Sequence, residues 1–183
     1  MRNILNIPNI LTLGRILVTP FIVYAILRGQ PELALILMVA AGITDMLDGA
    51  IARYFNQRTT VGAYLDPLAD KLMLISGFVT LFLIDQVPLF LFLAVIFRDV
   101  VIVLGALAYE MVTHQLKMEP SMISKVTTFM QIICVAALIL DLAYPLNELL
   151  MQAMVWSTFA VTCISGIHYM LVWTRKAASE EGQ

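Results

Sequence analysis

The sequence predicts an all-α integral membrane protein with six transmembrane helices, on the strength of composition, segment length and connector pattern. Of its 183 residues, 61% are hydrophobic and only 13% are charged, and the mean hydropathy is +0.90. A soluble domain carries about 25% charged residues, so this composition suits a bilayer. A spanning helix needs about 20 mostly apolar residues. The chain divides into six such stretches joined by short polar connectors, so we expect one transmembrane domain over residues 1–183 and no binding to nucleic acid.

The six predicted spans begin and end at glycine, proline or polar residues, which are the usual stop signals of helices. In chain order they cover residues 10–28, 33–54, 63–84, 87–109, 121–141 and 147–173. The first span ends before Gly29, and the most polar connector, around residues 54–60, separates the second from the third. Pro88, Pro120 and Pro145 lie at the starts of the fourth, fifth and sixth spans.

Basic residues near the ends of the spans set the expected orientation, because Lys and Arg are retained in cytoplasmic connectors. On one side of the six-span arrangement lie Arg2, Arg53, Arg58, Lys117, Arg175 and Lys176. Only Arg28 falls on the other side. We therefore expect both termini to be cytoplasmic, most simply in a bacterial inner membrane.

Charged residues inside the predicted spans indicate a polar cavity. Away from the ends of the spans they are Arg15, Lys71, Arg98, Lys125, Asp45, Asp48, Asp66, Asp70 and Asp99. Each costs roughly 2.5–3.5 kcal/mol at the centre of a bilayer on insertion scales, so each needs a partner or a polar environment. Asp99 is expected to be a structural partner for a nearby cation. Most of the set falls in the cytoplasmic half, which predicts an active-site cavity open to the cytoplasmic side.

Four aspartates have the spacing of a metal site. Asp45 and Asp48 are three residues apart, and Asp66 and Asp70 are four apart, so each pair lies on one face of its helix. A short connector makes the two helices antiparallel neighbours, which allows the four carboxylates to converge. Such like charges repel unless cations neutralise them. Carboxylate oxygens suit two divalent cations, Mg²⁺ or Mn²⁺, in a site typical of displacement at phosphorus.

The aspartates belong to a longer pattern, DxxDGxxARx8GxxxDxxxD, whose eight fixed positions span 26 residues. In this pattern the chain resembles the CDP-alcohol phosphotransferase family at every position. The resemblance implies that Asp45, Asp48 and Asp66 bind the metals, and that Asp70 completes the metal site and acts as the catalytic general base on an acceptor hydroxyl. The signature positions between and beside these aspartates are expected to bind the cytidine diphosphate: Gly49, Ala52, Arg53 and Gly62. The two glycines permit close approach to the backbone, and the arginine offers a planar fork for the diphosphate.

Residues outside the signature are similar to one branch of that family. The opening residues 6–9, with Thr12 and Arg15, look like the start of phosphatidylglycerophosphate synthases and CMP-forming cardiolipin synthases. This similarity implies that CDP-diacylglycerol is the donor, that membrane lipids surround the protein, and that it forms a homodimer.

The acceptor is inferred from the fourth and fifth spans. Phosphatidylglycerophosphate synthases commonly have Arg-Glu followed by a second arginine, whereas here Arg98 precedes Asp99 and residues 104–107 contain no arginine. Residues 123–127, with Gln131, are similar to CMP-forming cardiolipin synthases. This pattern favours phosphatidylglycerol as acceptor, with Arg98 and Lys125 binding its phosphate, over glycerol 3-phosphate, which is the alternative.

Two functions of other classes stay open at this point. Intramembrane carboxylates also line the ion paths of ion-coupled transporters, but a transporter does not explain the glycines or Arg53 of the signature. A non-catalytic membrane scaffold that retains the signature is the second alternative, and the four intact aspartates argue against it.

Overall fold

The structure, a computed structural model, describes the backbone of residues 7–54, 60–113 and 122–180, and the side chains of residues 11–47, 65–105 and 122–172. Within these ranges the chain forms six α-helices and no strand, which confirms the all-α prediction. In order they are α1 (Ile7–Leu27), α2 (Pro31–Tyr54), α3 (Thr60–Leu83), α4 (Leu89–Thr113), α5 (Met122–Ala143) and α6 (Glu148–Glu180). The observed ends lie within a few residues of the predicted ones, except that α6 continues to Glu180 instead of ending near residue 173.

Local hydrogen bonds explain where three of the helices begin or end. After α1, Gly29 has a φ of 66°, and the amides of Gly29 and Gln30 bond back to Ile26 and Ala25, as in a Schellman motif. After α3, Asp85 repeats this arrangement with a φ of 60°. At the start of α6, the Asn147 side chain accepts bonds from the amides of Leu149 and Leu150, at 2.9 and 3.3 Å.

The chain forms two compact units. Unit 1 consists of Met1–Gln86 and Val135–Leu146, and unit 2 of Val87–Cys134 and Asn147–Gln183. In unit 1, α1 packs against both α2 and α3. The Tyr144 hydroxyl donates a hydrogen bond of 3.0 Å to Glu32, at the start of α2. In unit 2, α4 packs against α6. The single-domain interpretation of residues 1–183 stays a prediction.

Two of the helices meet the length and composition of a membrane span over the described residues: Met122–Ala143 and Glu148–Val172. A shorter apolar helix covers Leu11–Leu27 in α1. Large hydrophobic side chains on the outer faces of the helices are exposed, such as Leu17 at 68% and Ile36 at 64%. Such faces suit a hydrocarbon environment. The six crossings, the side of the termini and the orientation of the cavity stay predictions.

Candidate functional site

One arginine joins carboxylates from two helices in unit 1. Arg15 of α1 contacts the Oδ1 atom of Asp45 on α2 through Nη2, and its Nη1 donates to the Oδ1 atom of Asp70 on α3 at 2.5 Å. The Arg15 side chain is fully buried, whereas those of Asp45 and Asp70 are 41% and 45% exposed. The planar fork of a guanidinium suits such charge-assisted bonds. The two carboxylates therefore lie within the span of a single guanidinium and remain accessible.

A second contact from α1 holds the third aspartate. The Thr12 hydroxyl donates to the Oδ1 atom of Asp66 at 2.6 Å, and Thr12 is fully buried. Thr12 and Arg15 are three residues apart, as are residues that share one face of a helix. One face of α1 thus supplies a hydroxyl for Asp66 and a cation for Asp45 and Asp70.

The sequence predicted the site on α2 and α3 but assigned no site role to α1. In the sequence, Thr12 and Arg15 contribute only to the similarity between the first residues of the chain and one branch of the family. A signal was present, because an arginine inside an apolar run needs an anionic partner. The sequence did not show which of several aspartates that partner is.

The remaining signature residues lie on the same two helices. The backbones of Asp48, Gly49, Ala52 and Arg53 are in α2, and that of Gly62 is in α3, but their side chains lie outside the described residues. Among the side chains that are described, no three acidic, histidine or cysteine residues form a group able to hold a metal ion. The metal ligands and the nucleotide contacts therefore stay predictions.

The carboxylates brought together here are the kind of ligand that hard divalent cations prefer. Asp45, Asp66 and Asp70 offer carboxylate oxygens, and such oxygens are the ligands preferred by Mg²⁺ and Mn²⁺. Thr12 contacts Oδ1 of Asp66, and Arg15 contacts Oδ1 of both Asp45 and Asp70. The residues that are described fit the chemistry of the predicted ions.

Arg98, predicted to bind the acceptor, lies in unit 2 and is only 3% exposed. Its Nη1 donates to Asp99 Oδ1 at 2.7 Å, its Nη2 to Ser124 Oγ at 2.5 Å, and its Nε to Ser165 Oγ at 3.4 Å. The prediction that Asp99 is a structural partner of a nearby cation is confirmed. Lys125, the other predicted acceptor residue, is exposed on α5.

The part of α5 that resembles cardiolipin synthases forms a polar face towards α6. Ser124, Thr127 and Gln131 are buried on α5, and Gln131 Nε2 donates to Thr162 Oγ1 of α6 at 3.1 Å. In an apolar surrounding such interhelical bonds align neighbouring helices. This face therefore holds α5, α6 and the Arg98 guanidinium in register.

Comparison with known proteins gives a family and named relatives. The family model described as CDP-alcohol phosphatidyltransferase matches residues 5–164. A probable cardiolipin synthase (CMP-forming) of Drosophila melanogaster is 35% identical over 190 residues, which cover 92% of this chain and 58% of that protein. The cardiolipin synthase (CMP-forming) of Homo sapiens is 32% identical over 184 residues, covering 90% of this chain and 61% of that protein.

A bacterial relative carries a different name. The CDP-diacylglycerol–glycerol-3-phosphate 3-phosphatidyltransferase of Rickettsia felis is 32% identical over 177 residues, which cover 90% of this chain and 93% of that protein. This chain therefore spans less than two thirds of the two cardiolipin synthases and nearly all of the Rickettsia protein. Relatives of both names match at similar identity.

Proposed function

Because this chain belongs to the CDP-alcohol phosphatidyltransferase family, a family of membrane-embedded enzymes, we propose that it transfers the phosphatidyl group of CDP-diacylglycerol to a glycerol-containing acceptor and releases CMP. The observation that carries this proposal is the convergence of Asp45 and Asp70 on the guanidinium of Arg15, with Asp66 held beside them by Thr12. A partly exposed cluster of carboxylates on two helices suits chemistry on a phosphate group.

In the proposed reaction an acceptor hydroxyl attacks the β-phosphorus of CDP-diacylglycerol. The new P–O bond forms as the bond to CMP breaks, and Asp70 takes the proton of the hydroxyl. Two features support Asp70 as this general base: its side chain is 45% exposed, so an acceptor can reach it, and Arg15 fixes its orientation at 2.5 Å. A positioned base typically contributes about 10²–10⁴-fold to the rate.

Two divalent cations, Mg²⁺ or Mn²⁺, are proposed to bind Asp45, Asp48, Asp66 and Asp70. Bound metal ions would offset the charge that develops on the phosphate oxygens during displacement. Carboxylate donors favour such hard cations, and the partial exposure of Asp45 and Asp70 keeps them accessible to ions from solution. Gly49, Ala52, Arg53 and Gly62 are proposed to bind the nucleotide, as the signature implies.

Removal of divalent cations is expected to stop CMP release. In excess EDTA the activity of the purified protein should fall to background, because the carboxylates then have no ions to organise the phosphates. Adding Mg²⁺ or Mn²⁺ above the chelator concentration should restore it. Circular dichroism in EDTA serves as the control that the helices persist, and undiminished turnover with the chelator would rule out the metal role.

Phosphatidylglycerol is the proposed acceptor, which makes the chain a CMP-forming cardiolipin synthase. The support is that Arg98 is followed by Asp99 and that residues 104–107 contain no second arginine. The phosphodiester of phosphatidylglycerol carries one negative charge and therefore needs fewer cations than the nearly dianionic phosphate of glycerol 3-phosphate. Of the two predicted acceptor residues, Lys125 is exposed, whereas Arg98 is buried among Asp99, Ser124 and Ser165. Lys125 is therefore the better placed to reach a lipid phosphate by snorkelling.

Glycerol 3-phosphate is the second candidate acceptor, favoured by the match over 93% of the Rickettsia protein. The experiment that separates the two supplies purified protein with CDP-diacylglycerol, Mg²⁺ and either phosphatidylglycerol or glycerol 3-phosphate. Mass spectrometry then identifies the lipid product. We expect cardiolipin and CMP with phosphatidylglycerol. Phosphatidylglycerophosphate as the main product would transfer the assignment to the second candidate, and no CMP with either acceptor would reject the family activity for this chain.

The wider setting is proposed from the sequence pattern. Six crossings follow from the six apolar stretches of the sequence. The distribution of Arg and Lys supports cytoplasmic termini and a site facing the cytoplasm. An inner bacterial membrane and a homodimer complete the proposal. Accessibility labelling of single cysteines placed at the two termini in intact cells tests the orientation.

A further inference from the structure

Three aromatic side chains join α4 and α6 near the amino-terminal end of α4 in unit 2. Phe90 stacks on Trp156 with ring centroids 4.7 Å apart, and Phe159 lies edge-on to both rings, at 5.1 and 5.9 Å. Phe90 is the second residue of α4, whereas Trp156 is the ninth of α6. The stacking therefore places Trp156 level with the start of α4. Trp156 is 57% exposed, so its ring is accessible to molecules outside the protein.

A second contact shows that this alignment continues along the two helices. Arg98 Nε donates to Ser165 Oγ at 3.4 Å, and a Cβ atom built at Gly166 would lie 3.9 Å from Arg98 Cβ. Phe90 and Trp156 are 66 residues apart in the chain, and Arg98 and Ser165 are 67 apart. This nearly constant difference means that α4 and α6 run in the same direction with a fixed offset.

The start of α4 marks one boundary of the hydrocarbon layer. Residues 84–88, which precede α4, are not helical, and Asp85 among them is exposed. Open backbone groups and an exposed carboxylate need water or lipid headgroups around them. The boundary therefore passes near Phe90 and, because of the fixed offset, near Trp156. Residues 148–155 then lie outside the hydrocarbon, along about 12 Å of helix at 1.5 Å per residue, although they belong to an apolar stretch long enough to cross a membrane.

The length of the rest of α6 agrees with this boundary. The chain has two tryptophans, and both are in α6, at Trp156 and Trp173. The 17 residues that separate them correspond to about 25 Å of helix, close to the hydrocarbon thickness of about 30 Å. Tryptophan is enriched at both membrane interfaces, and Arg175 follows the second one closely. On α4, Glu110 comes 20 residues after Phe90, which is about 30 Å along the helix.

We propose that Phe90, Trp156 and Phe159 bind the glycerol and ester layer of the membrane leaflet at the amino-terminal ends of α4 and α6, and so fix the depth of unit 2 in the bilayer. In this layer aromatic rings pack against the first methylenes of the acyl chains, and an indole N–H donates to ester oxygens. The partner is bulk phospholipid, because the helix offset puts the exposed ring at the depth of the ester groups. This assignment does not depend on the proposed reaction.

Fluorescence quenching by brominated lipid measures the depth of the Trp156 ring. Trp173→Phe leaves Trp156 as the sole tryptophan, and the protein is reconstituted in phosphatidylcholine vesicles brominated either near the ester groups or near the chain ends. We expect bromine near the esters to quench about twofold more strongly, as for a ring at the interface. Stronger quenching by bromine near the chain ends would overturn the proposal.

Phe97→Trp, in a protein that also carries Trp156→Phe and Trp173→Phe, is the matched control. Phe97 is 59% exposed on α4, and it lies seven residues beyond Phe90, about 10 Å deeper along the helix. A ring at this position should show the opposite preference, for bromine near the chain ends. Equal quenching by the two lipids at both positions would show that neither ring has a defined depth, and would overturn the proposal as well.

Thiol labelling tests the same boundary without a change of tryptophan. Ala153 and Ala160 are both exposed on α6, on either side of Trp156 in the chain, and the starting protein carries Cys134→Ala and Cys163→Ala. With a water-soluble maleimide on both sides of the vesicles, Ala153→Cys should react at least about tenfold faster than Ala160→Cys, because a thiolate does not form in hydrocarbon. Equal rates would mean that the boundary lies elsewhere on α6 and that the aromatic cluster only packs α4 against α6.

Discussion

Replacing Asp70 with asparagine is expected to lower the rate of CMP release by roughly a thousandfold while the helices stay folded. Asparagine keeps the shape of the side chain but cannot accept the proton of the acceptor hydroxyl, and a general base contributes about 10²–10⁴-fold. The structure leaves Asp70 45% exposed and oriented by Arg15 at 2.5 Å. The measurement is the release of CMP by purified protein at saturating donor and acceptor.

Asp85→Asn is the matched control for this substitution. Asp85 is exposed in the connector after α3 with a φ of 60°, a left-handed conformation that asparagine adopts readily. The control should therefore keep both fold and activity. Near-normal CMP release by the Asp70 variant would remove this residue from the mechanism.

Replacing Arg15 with methionine is expected to lower the free energy of unfolding by about 2 kcal/mol. Breaking a fully buried ion pair costs about 3–5 kcal/mol, and here the cost is smaller because water reaches Asp45 and Asp70, which are 41% and 45% exposed. Methionine fills a similar volume but leaves the two carboxylates to repel each other. Thermal unfolding in detergent, followed by circular dichroism, measures the change.

Arg28→Met provides the comparison for Arg15. Arg28 is exposed and donates to the Tyr24 hydroxyl at 3.1 Å, so its loss should change stability by less than about 0.5 kcal/mol. Arg15→Lys should recover only part of the lost stability, because an ammonium lacks the planar fork that contacts two carboxylates at once. Equal unfolding midpoints for Arg15→Met and Arg28→Met would show that the bridge contributes nothing to stability.

The number and placement of the helices could be predicted because apolar length and stop signals are local properties of the sequence. Gly29 ends α1 through its positive φ, and Asn147 caps α6. Residues 173–180 continue α6 beyond the predicted end. No glycine or proline follows Trp173 before Gly182, so a polar composition alone did not stop the helix.

The partners across helices could not be predicted in the same way. Arg15 and Asp70 are 55 residues apart, and Thr12 and Asp66 are 54 apart. Which residues meet over such separations depends on how each helix is rotated about its axis. The spacing of the aspartates indicated that each pair lies on one face of its own helix, α2 or α3. It did not indicate how α1 is rotated about its axis, and this rotation brings Thr12 and Arg15 into contact with the aspartates.

Arg98 and Asp99 illustrate a different limit. Neighbouring residues on a helix point in different directions, so a pair one residue apart is not an obvious ion pair. The long side chain of Arg98 nevertheless reaches Asp99 at 2.7 Å, and Ser124 and Ser165 complete its surroundings. The sequence predicted a cation for Asp99 but could not show that Arg98, assigned to the acceptor, is that cation.

The bridge made by Arg15 also bears on the order of events during biosynthesis. The ribosome makes α1 before α2 and α3, so Arg15 is synthesised thirty residues before Asp45 and 55 residues before Asp70. The contacts that join Arg15 to these two carboxylates can therefore form only after the third helix has been synthesised.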